Sequence, residues 1–205
     1  NYDLSSLRLA VTGAAAVPVE LIKRMREELT FRTIVTAYGL SESTGTVSIC
    51  RPDDPPEIIS KTSGRAIPGV DVKIVDDDGN EVPRGEPGEI ICKGYNVMVG
   101  YLDDPEATAE TIVDGWLHTG DIGTMDDDGY IAITDRKKDM FITGGFNAYP
   151  AEIENILLRH PAIAQVAVIG MADERMGEVG RAFVVVRPGE SLTAEQLIAW
   201  ARDNM

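Results

Sequence analysis

Within six residues, Ala37-Tyr38-Gly39-Leu40-Ser41-Glu42 gathers a ring, a glycine, a hydroxyl and a carboxylate. An aromatic ring can stack on a flat base. A serine hydroxyl can donate to a phosphate oxygen, and a glutamate is a hard oxygen ligand that can hold Mg²⁺ beside that phosphate. Thr12-Gly13-Ala14-Ala15-Ala16 is a second small-residue stretch, and small residues let a ligand approach the backbone closely. Taken by itself, each loop reads more simply as a helix cap, with Tyr38 as a packing side chain. In Gly115-Trp116-Leu117-His118-Thr119-Gly120-Asp121, the terminal carboxylate could accept both hydroxyls of a ribose. An ordinary turn aspartate is an equal alternative. His118 has no nucleophile or orienting group near it in the sequence, so it reads as structural. His160, before Pro161, fits a helix C-terminus facing the dipole. Gly144-Gly145 is either a plain turn or a loop able to swing onto a ligand.

Other chemistries find no support. The runs Asp76-Asp77-Asp78-Gly79 and Asp126-Asp127-Asp128-Gly129 suggest calcium loops, but Ile74 and Thr124 occupy the position where that pattern requires its first aspartate. They read as solvated hairpin turns. No GxxxxGK[ST] loop is present, nor a GxGxxG after a strand. Cys50 and Cys92, the two cysteines, make neither a disulfide framework nor a zinc spacing. A formal net charge of −15 argues against nucleic-acid phosphates or an anionic membrane as the main partner. No apolar run approaches the roughly 20 residues of a membrane span. With two unpaired thiols and no signal-peptide pattern, a cytoplasmic location is the expectation.

The elements that would position these residues fall into three stretches. Leu7–Val11 reads as a strand, and Val17-Pro18 opens a helix to about Leu29, supported by Leu21, Ile22, Met25 and Leu29. Thr33–Thr36 reads as a second strand. Residues 1–57 therefore look like the end of an α/β layer. Over 58–135, Val70, Val72 and Ile74 alternate with polar residues, Gly88–Lys93 is another strand and Asp104–Ile112 a short helix. Asp121–Met125 and Tyr130–Thr134 flank a hairpin turn, so this stretch predicts a small barrel or bent sheet. In residues 136–205, Pro150 starts a helix to about His160. Ala164–Ile169 and Ala182–Val186 are candidates for buried strands, and Thr193 can cap a last helix with Glu195 or Gln196 near its third position. That is a small α+β domain. Residues 1–135 carry 11 basic and 25 acidic groups, and residues 136–205 carry 8 and 9, which also suggests separate units. The chain starts at Asn1 rather than Met and stops at Met205 inside the last helix, so both ends are read as cut.

Together the motifs resemble the adenylate-forming enzymes: acyl- and aryl-CoA ligases, luciferases and non-ribosomal adenylation domains. Ala37–Glu42 is similar to that family's Tyr-Gly-x-Thr/Ser-Glu motif. Gly88-Glu89-Ile90 through Gly100-Tyr101-Leu102 and Pro105-Glu106-Ala107-Thr108 resembles its Gly-Glu-(Leu/Ile)…Gly-Tyr…Pro-Glu-x-Thr motif. Gly115–Asp121 resembles its Trp-x-x-Thr-Gly-Asp motif. Asp135-Arg136-Lys137-Lys138-Asp139 with Gly144–Glu154 resembles its hinge and Pro-x-Glu-Ile-Glu motif. The wording of Gly144–Glu154 and of Asn96–Tyr101 is closest to fatty-acyl-CoA synthetases, and among them to those acting on acids from steroid-ring breakdown.

That resemblance implies ATP, Mg²⁺ and CoA as substrates alongside a small carboxylic acid. The acid is adenylated and then transferred to CoA. It also implies roles. Gly13, Ala14, Ala15, Ala37, Tyr38, Gly39 and Ile133 would surround the nucleotide. Ser41 would touch phosphate, and Glu42 would bind Mg²⁺. Asp121 and Arg136 would hold the ribose, Lys138 would be the hinge, and Gly144, Gly145 and Phe146 would meet CoA. The family's upstream Pro-Lys-Gly phosphate loop and downstream Gly-Lys are not in the sequence, so the chain reads as a ligase fragment that does not turn over alone. A nucleotide- or acyl-AMP-binding module, an adenylation domain loading a carrier protein, and a purely structural domain stay open.

Overall fold

The computed structural model describes residues 3–13 and 19–205. Contacts divide the chain into two units, Asn1–Ile133 and Thr134–Met205.

The first unit begins with strands Leu9–Thr12 (β1) and Thr33–Tyr38 (β2), and with helix Val19–Glu28 (α1) between them in sequence. The strands are parallel, paired from Leu9↔Thr33 to Thr12↔Thr36. The expected helix start at Val17-Pro18 lies outside the described residues. Parallel pairing sends both strand ends, and the loops after them, to one edge of the sheet, where open α/β sheets place ligands. Ile22 on α1 packs with Ile34, Val35, Cys50 and Ile59. Ser48–Ile49 (β3) and Arg65–Ala66 (β4) continue the sheet antiparallel, in the order β1-β2-β3-β4. Between β3 and β4 lies a helix the sequence reading missed, Pro56–Lys61 (α2), with proline in its first turn.

Val70–Val75 (β5), Gly88–Gly94 (β6), helix Pro105–Thr111 (α3), Ile112–Val113 (β7), Trp116–Met125 (β8) and Ile131–Arg136 (β9) follow. β5-β6-β8-β7 form a curled sheet, with β9 on β8. Its inner face is built by alternation: Val70 and Ile74 are buried while Asp71 is exposed. Ile90, Cys92, Leu117, Met125 and Ile131 complete that core. Asp104 caps α3, accepting the Ala107 N–H at 2.9 Å.

The second unit contains the hairpin Phe141–Thr143 (β10) and Phe146–Ala148 (β11), helix Pro150–Leu157 (α4), strands Ile163–Asp173 (β12) and Gly177–Val186 (β13), and helix Ala194–Asn204 (α5). Strand order is β11-β10-β13-β12. Phe141, Leu157, Ile163 and Val168 form its core, with Leu197 and Trp200 of α5 against them. The α5 start is a reciprocal capping box: Gln196 N–H donates to Thr193 Oγ1 and Thr193 N–H to Gln196 Oε1. The β12–β13 hairpin runs four residues beyond the expected Ala164–Ile169, through register Asp173↔Gly177. Cross-strand pairing there carries Gly170-Met171-Ala172, which has little strand propensity of its own.

Candidate functional site

Tyr38 is the last residue of β2. Its ring packs among Val47, Ile90, Cys92 and Leu117, and its O–H donates to Asp121 Oδ2 at 2.6 Å. Burial first, and then that bond, push the phenol well above its usual range, so it stays a donor. With its ring only 9% exposed, Tyr38 is less a stacking platform than the peg that orients Asp121.

Beyond Tyr38 the chain folds back tightly. A Cβ on Gly39 would sit 2.4 Å from the Gly45 carbonyl oxygen, so only glycine fits there. A 3₁₀ turn, Ser41–Ser43, follows. Thr44 then adopts a left-handed backbone with φ +56°, an uncommon conformation for a non-glycine residue. The segment after β6 holds this turn from outside. Buried Asn96 donates Nδ2 to the Ser43 and Thr46 carbonyls at 3.3 and 2.8 Å, and Thr44 Oγ1 donates to the Asn96 carbonyl at 2.7 Å. Met98 N–H donates to the Glu42 carbonyl at 2.8 Å. Tyr101 O–H donates to Glu42 Oε1 at 2.8 Å. Asn96 and Tyr101 stand in motifs read from the sequence, which gave neither a role at this site. Ser41 and Glu42 thus stand on a turn clamped at both ends, with Ser41 exposed. Ala37 lies on β2, and Gly13 follows β1 beside it: a Cβ on Gly13 would be 2.6 Å from the Ala37 oxygen. Ala14 and Ala15 lie outside the described residues.

Asp121 is not in a turn. It sits inside β8, at a bulge. Glu89 pairs with Ile122 and Ile91 with His118, so β8 carries Thr119, Gly120 and Asp121 where β6 carries only Ile90. Bulges re-aim side chains and are common beside active sites. Thr119 Oγ1 donates to the Ile90 carbonyl at 2.7 Å and accepts the Asp121 N–H at 3.1 Å. His118, which had no sequence-local partner, has one across the sheet: Glu89 Oε2 lies 3.2 Å from its Nδ1. Ile133, on β9 in this unit, is 40% exposed.

In the second unit Arg136 ends β9 and Lys138 lies in the turn that follows, both exposed. The Asp139 and Met140 N–H groups close that turn on the Arg136 carbonyl. Asp121 and Arg136, expected to share a ribose, fall in different units. Gly144 and Gly145, with φ +58° and +88°, make the β10–β11 turn. Phe146 follows them, 77% exposed. The acidic runs are hydrogen-bonded turns: Asp76 Oδ1 accepts from Asp78 and Asn80, and Asp126 Oδ1 from Asp128 and Tyr130. Among the described residues no group of three or more His, Cys, Asp or Glu side chains could by itself hold a metal ion. A single carboxylate at Glu42 fits Mg²⁺, which is commonly held by one or two carboxylates together with substrate phosphates and water.

Residues 1–102 match the model for AMP-binding enzymes, and residues 152–205 match the model for the AMP-binding enzyme C-terminal domain. The chain belongs to the AMP-binding enzyme family. Over its whole length it is 58% identical to a 3-[(3aS,4S,7aS)-7a-methyl-1,5-dioxo-octahydro-1H-inden-4-yl]propanoyl:CoA ligase of Rhodococcus jostii, covering 38% of that protein. It is 44% identical to a feruloyl-CoA synthase of an Amycolatopsis species, covering 41% of it. Among solved structures of the family, it resembles the o-succinylbenzoate CoA synthetase of Bacillus subtilis in complex with its acyl-adenylate intermediate. There the TM-score is 0.83 at 32% identity, covering 97% of this chain and 40% of that one. The chain therefore spans about two fifths of the length of these relatives.

Proposed function

We propose that this chain is part of an AMP-forming acid–thiol ligase and supplies its adenosine side. The observation that carries the reading is the Tyr38–Asp121 hydrogen bond. It joins two motifs 83 positions apart and fixes a carboxylate beside the loop that bears Ser41 and Glu42. In the first half-reaction a substrate carboxylate oxygen attacks the α-phosphorus of ATP, and pyrophosphate leaves. In the second, the CoA thiolate attacks the acyl carbon, and AMP leaves. Positioning and charge stabilisation are the protein's contribution to such transfers. Gly13, Ala14, Ala15, Ala37, Gly39 and Ile133 wall the nucleotide, and Tyr38 braces Asp121 under the ribose. Ser41 donates to phosphate. Glu42 would hold Mg²⁺, and the ion would supply charge neutralisation at the phosphates. Within the second unit, Arg136 is assigned to the ribose, Lys138 to the hinge, and Gly144, Gly145 and Phe146 to CoA.

The 58% relative points to a propanoate side chain on a fused-ring ketone as the acid. A cytoplasmic setting fits two unpaired cysteines. Among the described residues no helix is long and apolar enough to cross a membrane.

The full-length protein tests the reading. Incubated with Mg²⁺, ATP, CoA and the fused-ring propanoate, it is expected to form AMP and the acyl-CoA thioester in equal amounts, both read by mass spectrometry. Ferulate and a long-chain fatty acid serve as competitors and should react more slowly. If none of the acids raises AMP above the acid-free blank, the reading is wrong. The isolated chain is expected to bind nucleotide without releasing pyrophosphate.

A further inference from the structure

We propose that Glu89 is a positioning residue for the nucleotide, holding the β8 bulge in the shape that presents Asp121 to the ribose. This rests on the reading of Asp121 as the ribose-binding carboxylate.

Glu89 is a carboxylate in the middle of a sheet, only 7% exposed. Burying such a charge is costly unless it is hydrogen-bonded, and both its oxygens are engaged with β8. Oε1 accepts the Gly120 N–H at 3.1 Å, and Oε2 lies 3.2 Å from His118 Nδ1. These contacts fall on either side of Thr119, within the stretch where three residues of β8 face one of β6. The regular strand ladder is broken there. What replaces it is side-chain bonding: Glu89 to His118 and to Gly120, and Thr119 to the Ile90 carbonyl and to the Asp121 N–H. Gly120, with φ +70°, has a backbone that could otherwise take many conformations, so an acceptor on its N–H selects one. Asp121 is the next residue, and its carboxylate must meet the Tyr38 hydroxyl at 2.6 Å. Glu89 thus fixes the entry to the bulge and Tyr38 fixes its product, the direction of the Asp121 side chain. Glu89 acts through the backbone and is not itself a ligand.

A general structural role would alter stability and affinity for every nucleotide alike. A positioning role alters discrimination by the ribose hydroxyls. Binding of AMP and of 2′,3′-dideoxy-AMP to the full-length protein, measured by titration calorimetry, separates the two, with circular dichroism as the check on folding. The wild type should prefer AMP, and Asp121→Ala should abolish that preference. Glu89→Ala should reduce the preference by about tenfold, the scale of a lost hydrogen bond to a charged group. Glu89→Gln keeps an acceptor oxygen for Gly120 and should fall between, with about a threefold reduction. If Glu89→Ala does not fold, Glu89→Gln decides by the same criterion. A preference unchanged in the folded Glu89 variants but lost in Asp121→Ala overturns this proposal and leaves the ribose reading standing. Equal affinity of the wild type for both nucleotides sinks the ribose reading, and the role of Glu89 with it.

Discussion

At the scale of single residues, the Tyr38 side chain does two separable things. Its ring fills the core of the first unit, and its hydroxyl orients Asp121. Tyr38→Phe keeps the first and removes the second. The expected result is a stability change of only about 1 kcal/mol in urea unfolding, with AMP affinity lowered several-fold in calorimetry. A stability loss of about 3 kcal/mol or more, as for a truncated aromatic, would mean that the ring has repacked and the separation fails. The residue types of this site were legible in the sequence, but their partners were not. Asp121, Tyr38 and Glu42 could be picked out by the chemistry of their side chains. Nothing near His118 in sequence pointed to Glu89, because the pair is made by two strands whose registers slip past one another. Asp121 read equally well as a turn residue because Gly115 and Gly120 precede it. Their positive φ angles serve the start of a strand and a bulge within it instead.

At the scale of elements, legibility followed length and patterning. β5 showed its alternation, and α5 its capping box. α2, with six residues after two prolines, and β3 and β4, with two residues each, are too short to carry a period; tertiary packing and pairing make them. The start of α4 at Pro150 was legible, but what caps it was not. Its N-cap, Tyr149, offers no side-chain acceptor, and Pro150 has no N–H to satisfy. The next donor, Ala151 N–H, is taken by Asp135 Oδ2 at 2.9 Å, while Asp135 Oδ1 accepts the Arg136 N–H at 2.7 Å. A buried aspartate 16 positions upstream therefore does the work of a cap. Asp135→Ala should destabilise the second unit by about 1–2 kcal/mol, the worth of a lost cap, and Asp135→Asn by less, since the amide keeps one acceptor. Urea unfolding followed through Trp200 measures both. Equal losses for the two variants would show that charge, and not the accepted hydrogen bonds, is what α4 needs.

At the scale of the whole molecule, the two units have separate cores and different chemistry in them. Both cysteines lie in the first unit and are buried. Burial raises the Cys50 thiol and pushes Cys92 up to about 11 from 9.0. A thiol that resists ionisation only when folded stabilises the fold fully below the unfolded value, near pH 9. That contribution is lost as the pH rises through the folded value near 11. For Cys92 the shift corresponds to about 2–3 kcal/mol, and Cys50 adds in the same direction. The second unit contains no cysteine. Each unit carries one of the two tryptophans, Trp116 in the first and Trp200 in the second, so single-tryptophan variants report on each alone. Unfolding midpoints, rather than intensities, are the quantity to compare, because the Lys73 and Lys93 ammonium groups lie over the Trp116 ring and colour its emission. Between pH 9 and 11 the urea midpoint seen by Trp116 should fall while that seen by Trp200 holds. Replacing Cys92 by Ala should lessen the fall at Trp116 and leave the part that Cys50 and Tyr38 contribute. If both midpoints fell together, the two units would be unfolding as one, and the thiols of the first would be governing the stability of the second.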